Sequence, residues 1–423
     1  MLTEAAELEH AIMCQYLFAA FSLKTSTAEG VDDRQLRAIG KWKKAVASVA
    51  TEEMLHLGLV NNLLAALGAA PRVGRPNLPA AGRYFPPEIQ LALVPFGERA
   101  LRHFLYLERP EGINRDDAEG FETLREAEPL VTAREIVPRP QHFTTVGELY
   151  RSIEEGLERL VQHHGERWVF VGPERAQATP KNFWWDDLIP VTDLSTAKRA
   201  LGTIVEQGEG ARGHWRDAHY GRFLEVLGEY LTMRREDPTF EPARPVLAAC
   251  VRPPVDAPPG PLVTDPVTVR VLDVFNVTYE ILLYSLGRFF GHGDETDEQL
   301  QALADVAVGL MAKVLKPVGE LVTTMPVGDE YPGMCAGPSF EVFYRSGYLL
   351  PHKNAAWTLL HERLLECYGF LMQSVTEYGA PAALTEAGDA LLGSAHTLAS
   401  MMDGLEDRSI RVPEAWGLGA APD

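Results

Sequence analysis

The sequence predicts a mainly α protein. Apolar residues recur three and four positions apart along most of the chain, and convincing runs of alternating apolar and polar residues are scarce. Prolines gather in two stretches between the periodic segments, around 71–95 and 238–266.

The first element spans 3–24, with Ala5, Leu8, Ile12, Tyr16 and Ala19 at helical spacing and Thr3 as N-cap. The second begins after Asp32-Asp33, carries Val46, Val49, Ala50, Leu57 and Val60 on one stripe, and stops at Gly68 before Pro71. These two read as an antiparallel pair. From 69 to about 143 the text is irregular, broken by Pro76, Pro79, Pro86-Pro87 and Pro95, with one short helical patch at Phe104–Leu107. Such an excursion between helix pairs is what a bundle with a crossover connection needs. Helices return from Thr144-Thr145 to about His164, from Asp193 to about Gly208 after the loop Phe183-Trp184-Trp185, and from about His214 to Tyr230.

Between Pro238 and Pro266, proline removes backbone donors and fixes φ, so neither helix nor central strand is expected. The predicted organisation is a helical bundle over 1–235, a Pro-rich linker over 236–266 and a helical C-terminal subdomain over 267–423. Within that subdomain helices are expected at about 267–291, 297–323, 353–377 and 384–404, with a Gly/Pro-rich loop at 326–338. No internal repeat of fixed period is present.

The 423 residues are 46% hydrophobic and 23% charged, a globular composition that excludes a disordered chain and a disulfide-stapled scaffold. With 59 Asp+Glu against 39 Lys+Arg the net charge is −20, and such a surface repels phosphate backbones and anionic lipid. No nucleic-acid or membrane partner is therefore expected. Cys14, Cys250, Cys335 and Cys367 show no metal-knuckle or disulfide spacing and read as free thiols in a reducing compartment. The N-terminus is acidic where a secretory signal would be basic, and no run reaches the roughly 18 apolar residues of a membrane span. The expected location is cytoplasmic.

Chemistry enters where ionisable residues interrupt apolar stripes. Glu9 shares a face with Ala5, Ile12, Met13, Tyr16 and Ala20, and a buried lone carboxylate must find a cation, donors or a proton. Within Thr51–His56, Glu53 and His56 stand three apart on the stripe of Val46, Val49, Leu57 and Val60. A carboxylate and an imidazole from adjacent turns converge on one point, and a carboxylate on a facing helix can bridge to the same ion. Glu9 with Glu53-x-x-His56 is thus half of a di-metal carboxylate site; the competing reading is a solvated Glu beside a satisfied core His. The second half is less defined. Glu148 lies off the Leu149–Ile153–Leu157 stripe, Glu206 and Glu209 stand three apart among helix-ending glycines, and His219 shares a face with Trp215, Phe223, Val226 and Tyr230. Each of these is equally readable as an ordinary surface acid or core His.

The strings Glu7-Leu8-Glu9-His10, Thr51–His56, Thr145-Val146-Gly147-Glu148-Leu149-Tyr150, Glu206-Gln207-Gly208-Glu209-Gly210 and His219-Tyr220-Gly221-Arg222-Phe223 together resemble the ferritin-like domain of iminophenyl-pyruvate dimer synthases. The resemblance covers about 1–230 and continues more loosely through Phe275–Tyr279 and Ala336–Glu341, the Gln-Gly-Glu-Gly string being its most specific part. Enzymes of that family, which include chromopyrrolic acid synthases, couple imines made by an amino-acid oxidase in violacein and indolocarbazole pathways. The resemblance implies a ferritin-like bundle in which Glu9, Glu53, His56, Glu148, Glu206 and His219 match metal-ligand positions. Glu209 is the weaker candidate, as ligand, base or proton shuttle. The fourth helix lacks a Glu-x-x-His, so His219 enters from beyond the glycines, and the chain is shorter than the large pathway synthases.

The expected function is a metal-dependent oxidative enzyme of natural-product biosynthesis. Its metal would be iron, mono- or dinuclear, with another divalent metal as the alternative. Its substrates would be an amino-acid-derived molecule and O2 or peroxide, with an amino-acid oxidase as the upstream partner. Tyr16 and Phe183-Trp184-Trp185 are candidates to line an aromatic pocket, and core packing competes with that role. The alternatives are a metal-independent synthase that orients imines for coupling and a non-catalytic iron-binding or structural protein; the residues from 267 onward argue against storage. His163-His164 end a charged helix about 100° apart and read as solvated. Asn276, Tyr279-Glu280 and Glu341 are polar within apolar text, either closing the pocket or satisfying one another. Phosphate-binding, hydrolase-elbow and haem-attachment motifs are absent.

Overall fold

The computed structural model describes residues 1–81, 90–110, 143, 145–210, 215–252, 260–291, 293–343 and 352–402. Most of the expected crossover, His214 and part of the Pro-rich stretch lie outside these residues; 215–218 are turn and bend, so the helix expected from about His214 begins at His219. The chain is mainly helical, as its periodicity predicts, and forms two compact units: Met1–Gln177 with Trp185–Arg244, and Ala178–Trp184 with the chain from Pro245 onward.

In the first unit α1 (Leu2–Ser22) packs along α2 (Asp33–Ala66). α1 has buried residues on every side and begins at Met1 rather than being capped by Thr3. A capping box starts α2: Asp32 Oδ1 accepts the Gln35 N–H at 2.7 Å, and Gln35 Oε1 accepts the Asp32 N–H at 2.9 Å. Gly68 ends it at φ +72, a left-handed turn that frees Ala69 N–H to reach Leu64 O. The short α3 (Glu98–Leu107) packs on α6 (His219–Glu236), and α4 (Val146–His164) packs on α5 (Leu194–Gly208). Thr145 and Asp193 cap α4 and α5 through their side chains. The expected patch at 104–107 is therefore the end of a ten-residue helix. A two-residue antiparallel ladder pairs β1 (Ala80–Ala81) with β2 (Gln90–Leu91), Ala80 opposite Leu91.

Two aromatic clusters set the spacing of this unit. Trp42 is fully buried, stacks on Phe96 at 5.7 Å and donates its indole N–H to Glu229 at 2.9 Å. Tyr16, Phe104 and Phe223 meet with centroids 4.5–5.2 Å apart, tying α1, α3 and α6 together beside the site.

The second unit holds α7 (Pro266–Phe289), α8 (Asp297–Leu310), α9 (Lys316–Val322), α10 (Lys353–Glu377) and α11 (Thr385–Ser400). A π-wound turn, Met311–Leu315, joins α8 to α9 just before Pro317, which has no N–H to offer the preceding turn. β3 (Val246–Leu247) pairs in parallel with β4 (Cys335–Ala336). Asn276, Ser339 and Glu341 satisfy one another here: Asn276 Oδ1 accepts the Glu341 N–H at 3.0 Å and Asn276 Nδ2 donates to Ser339 Oγ at 2.9 Å. Glu280 accepts the Phe343 N–H at 2.5 Å. Phe183 packs on Phe289 at 5.2 Å, while Trp184 is exposed at φ +51. None of the four cysteines forms a disulfide. Among the described residues no helix is long and apolar enough to cross a membrane.

Candidate metal centre

The first unit gathers carboxylates and imidazoles at positions where its helices should be apolar. Glu9 faces inward from α1 beside Ile12, Met13 and Tyr16, and α2 supplies Glu53 and, one turn later, His56. All three side chains are 2% exposed, and His219, the first residue of α6, is fully buried. The fifth donor is Glu108, which follows the last residue of α3 and is also buried.

Glu53 stands between the two imidazoles. Its Oε2 lies 3.0 Å from His56 Nδ1 and its Oε1 2.8 Å from His219 Nδ1. His56 Nδ1 is also 3.5 Å from Glu9 Oε2, and His219 Nδ1 is 3.5 Å from Glu108 Oε2. Two donor groups result, Glu9–Glu53–His56 and Glu53–Glu108–His219, each with its ligand atoms within 4.8 Å of one another. The rings lie 5.4 Å apart, inclined by 26°.

Outer partners fix these groups. Tyr150 donates its hydroxyl to Glu9 Oε1, and Tyr16 donates to Glu108 Oε1. His56 Nε2 meets Gln207 Oε1 at 2.9 Å, and His219 Nε2 meets Glu52 Oε2 at 3.0 Å, with Arg222 Nη1 holding Glu52 Oε1 at 2.8 Å. Each imidazole thus turns Nδ1 inward and has an acceptor behind Nε2, the arrangement that selects one tautomer.

Burial raises the Glu9 carboxyl, the neighbouring Glu53 charge adds to the effect, and Glu9 reaches about 8. Burial opposes ionising Glu53 as well, but His56 and His219 outweigh it and hold Glu53 well below the usual carboxylate range. Against the same burial, Glu53 and Glu9 lift His56 to about 10, and Glu53 and Glu108 raise His219 well above an ordinary imidazole. Burial and the surrounding carboxylates push Tyr16 and Tyr150 far up, so both remain neutral donors. Protons on Glu9 and the imidazoles therefore balance buried negative charge, a role a cation can take over.

The residues fit a divalent metal. Their donors are carboxylate oxygen and imidazole nitrogen without sulfur, a set that suits iron, manganese or zinc. His219 Nδ1 makes no well-aligned hydrogen bond although Glu53 Oε1 is 2.8 Å away.

The structure brings four of the six sequence-predicted ligands together: Glu9, Glu53, His56 and His219. Glu148 and Glu206 fall in neither group. Glu148 is half-buried in the first turn of α4, and Tyr150, two residues on and so across the helix, takes the inward direction. Glu206 is exposed, whereas the next residue, Gln207, reaches His56. Glu209 is buried and its Oε1 accepts the Gly147 N–H at 2.7 Å at the head of α4. Tyr16 touches the centre through Glu108. His163 and His164 are exposed at the end of α4. Sequence reasoning missed Glu108, though the signal existed: it lies four residues after Phe104 and seven after Leu101, on the buried stripe of α3. Glu52, Tyr150, Gln207 and Arg222 had no comparable signal.

A family model described as Ferritin-like matches residues 2–228. Among curated proteins, the chain is similar to dichlorochromopyrrolate synthase of Lentzea aerocolonigenes, 28% identical over an alignment of 390 residues, with 82% of this chain and 36% of that protein covered. It is also similar to 2-imino-3-(indol-3-yl)propanoate dimerase of Chromobacterium violaceum, 27% identical over 363 residues, 80% of this chain and 33% of that protein. The chain spans about a third of the length of these relatives. The crystal structure of a ferritin like protein from Caulobacter vibrioides aligns with a TM-score of 0.45 at 17% identity, covering 75% of this chain and 91% of that one.

Proposed function

Because the chain belongs to the Ferritin-like family, we propose that its first unit is a metal-dependent catalytic centre acting on an amino-acid-derived substrate in natural-product biosynthesis. The observation that carries this reading is the sharing of Glu53 between two buried carboxylate–histidine groups. A carboxylate buried to 2% exposure between two imidazoles needs its charge offset, by protons on those imidazoles or by a cation in their place.

Glu9, Glu53 and His56 would hold one cation, and Glu53, Glu108 and His219 a second, with iron the first choice and another divalent metal the alternative. Bound there, the metal supplies a Lewis acid and a one-electron redox centre for oxidative coupling of imines or for oxygenation with O2 or peroxide. The chain's own residues do the remaining work. Tyr150 and Tyr16 each occupy one oxygen of Glu9 and Glu108 and so orient the other oxygen inward. Glu52 and Gln207 fix the imidazole tautomers. The aromatic contacts of Tyr16, Phe104 and Phe223 exclude water on the side facing α3 and α6.

The names of the relatives support the substrate class: one is a synthase of dichlorochromopyrrolate, the other a dimerase of 2-imino-3-(indol-3-yl)propanoate. An amino-acid oxidase that supplies the imine is the partner this reading requires. The test is product analysis by mass spectrometry with indole imino acid generated in place by such an oxidase, using anaerobically iron-loaded and chelator-stripped protein. Coupled or oxygenated product only in the loaded sample is expected. Equal coupling after stripping would favour the metal-independent synthase, and product from neither sample would overturn the enzymatic reading.

A further inference from the structure

The string Glu206-Gln207-Gly208-Glu209 supplies no ligand to either donor group, yet two of its residues reach toward one of them from the end of α5. Gln207 Oε1 lies 2.9 Å from His56 Nε2, and Gln207 Nε2 lies 3.5 Å from Asp187 Oδ2, which sets the amide oxygen toward the imidazole. Two residues on, Glu209 Oε1 takes the Gly147 N–H at 2.7 Å. A Cβ at Gly147 would come within 2.4 Å of the Glu209 carboxylate, so a larger residue there would push that side chain aside. Gly147 is the second residue of the helix that carries Tyr150, and Tyr150 donates to Glu9. One helix end therefore meets the Glu9–Glu53–His56 group twice, directly at His56 and through α4 at Glu9.

The two imidazoles are supported differently. Behind His219 Nε2 stands a carboxylate, Glu52, tied to Arg222; behind His56 Nε2 stands a neutral amide. An amide oxygen accepts an N–H without drawing its proton, so it fixes the ring while leaving it a neutral ligand.

We propose that Gln207 and Glu209 form a positioning clamp for the Glu9–Glu53–His56 half of the centre, Gln207 fixing the tautomer and ring plane of His56 and Glu209 fixing the start of α4 so that Tyr150 meets Glu9. The role of the clamp in metal binding rests on the metal-centre reading above; its hydrogen bonds do not. The string would then be a support for the site and not a source of ligands.

The experiment uses the full chain, Gln207→Leu and Gln207→Glu, with Co(II) titration followed by visible absorption and, on metal-free protein, histidine-selective ¹⁵N NMR. In Gln207→Leu one of two Co(II) sites should weaken by about 10–100-fold, the usual cost of losing an outer partner, while the other is unchanged; Gln207→Glu, which keeps an acceptor, should recover it. Without metal, the His56 Nε2 proton should exchange slowly in the native protein and in Gln207→Glu, and rapidly in Gln207→Leu. Native Co(II) affinity together with a slow Nε2 proton in Gln207→Leu would overturn the clamp. So would loss of Co(II) in Glu206→Gln with Gln207→Leu unaffected, because the string would then act through a ligand. If the native protein takes up no Co(II), the metal-centre reading fails and the NMR comparison alone decides the clamp.

Discussion

Glu53 Oε1 and His219 Nδ1 lie 2.8 Å apart, joining the middle of α2 to the first residue of α6. The other oxygen of the same carboxylate lies 3.0 Å from His56 Nδ1. One side chain thus belongs to both donor groups, while Glu9 and Glu108 each belong to one.

That asymmetry predicts unequal effects of single truncations. After iron or manganese loading and desalting, Glu53→Ala should retain no stoichiometric metal. Glu9→Ala and Glu108→Ala should each retain about half of the native content, because one group survives in each. Elemental analysis of the three variants reads this directly. Full metal content in Glu53→Ala would remove Glu53 from the site.

Metal uptake should depend on pH with a definite sign. Glu9, pushed up to about 8 by burial and Glu53, and His56, lifted to about 10 by its carboxylates against burial, hold protons that a metal must displace. Affinity should therefore rise with pH between 6 and 8, by about tenfold per unit for each proton released. Metal-free protein should show the reverse in stability. The His56 contribution is complete below the unfolded value of about 6.5 and fades as pH climbs toward 10; that of Glu9 is complete below about 4.5 and is lost through 8. The gap in Tm between loaded and stripped protein should widen from pH 6 to pH 9. A constant gap would mean that the cluster carries no displaceable protons.

Two other histidines set the acid limit of the first unit. Burial, with Arg75 nearby, holds His10 at about 3, and burial with Arg99 does the same for His103. Both are depressed, so their contribution is complete above the unfolded value of about 6.5 and is lost as pH falls toward 3. Each should cost about 1.4 kcal/mol per pH unit over that range. His103→Gln keeps a donor for Gln15 Oε1, which His103 Nε2 meets at 3.0 Å, but takes up no proton. Urea midpoints at pH 7, 5.5 and 4.5 should fall less steeply in this variant than in the native protein. Parallel curves would show that His103 is not the group being charged.

How much of this was legible in sequence depends on where each residue stands relative to a stripe. Glu9, Glu53 and His56 stand out because helical periodicity marks an ionisable residue at an apolar position, whereas His219, equally readable as a core His, is named only through the resemblance of its string. Glu108 carries the same mark, but the helical patch read at Phe104–Leu107 stops one residue short of it. Gln207 and Tyr150 carry no mark, since an amide beside helix-ending glycines and a tyrosine on an amphipathic helix are ordinary in themselves. Their roles come from contacts across the fold, His56 with Gln207 and Glu9 with Tyr150, which no local pattern encodes. Glu148 and Glu206 show the converse: the resemblance of their strings names them as ligand positions, and the structure places them in neither donor group.

The polar residues of the second unit allow a last discrimination. Glu341 is 6% exposed and its carboxylate accepts from Ser339 Oγ at 2.7 Å, Val251 N at 2.8 Å, Arg252 N at 3.2 Å and Asn276 Nδ2 at 3.3 Å. Glu341→Ala leaves these donors without that acceptor, and with roughly 1–3 kcal/mol for each donor that stays buried and unsatisfied, a loss of at least about 3 kcal/mol is expected. Glu341→Gln should cost only about 1 kcal/mol. Its oxygen can replace Oε2, which serves three of the four donors, so that only Arg252 N–H faces the new amide. Metal content should be native in both variants, since Glu341 belongs to neither donor group. Urea unfolding, elemental analysis and product formation measured on the same preparations separate a structural knot from a pocket wall. A Glu341→Gln protein that folds with native stability and full metal content yet forms no product would return this cluster to the substrate-binding role.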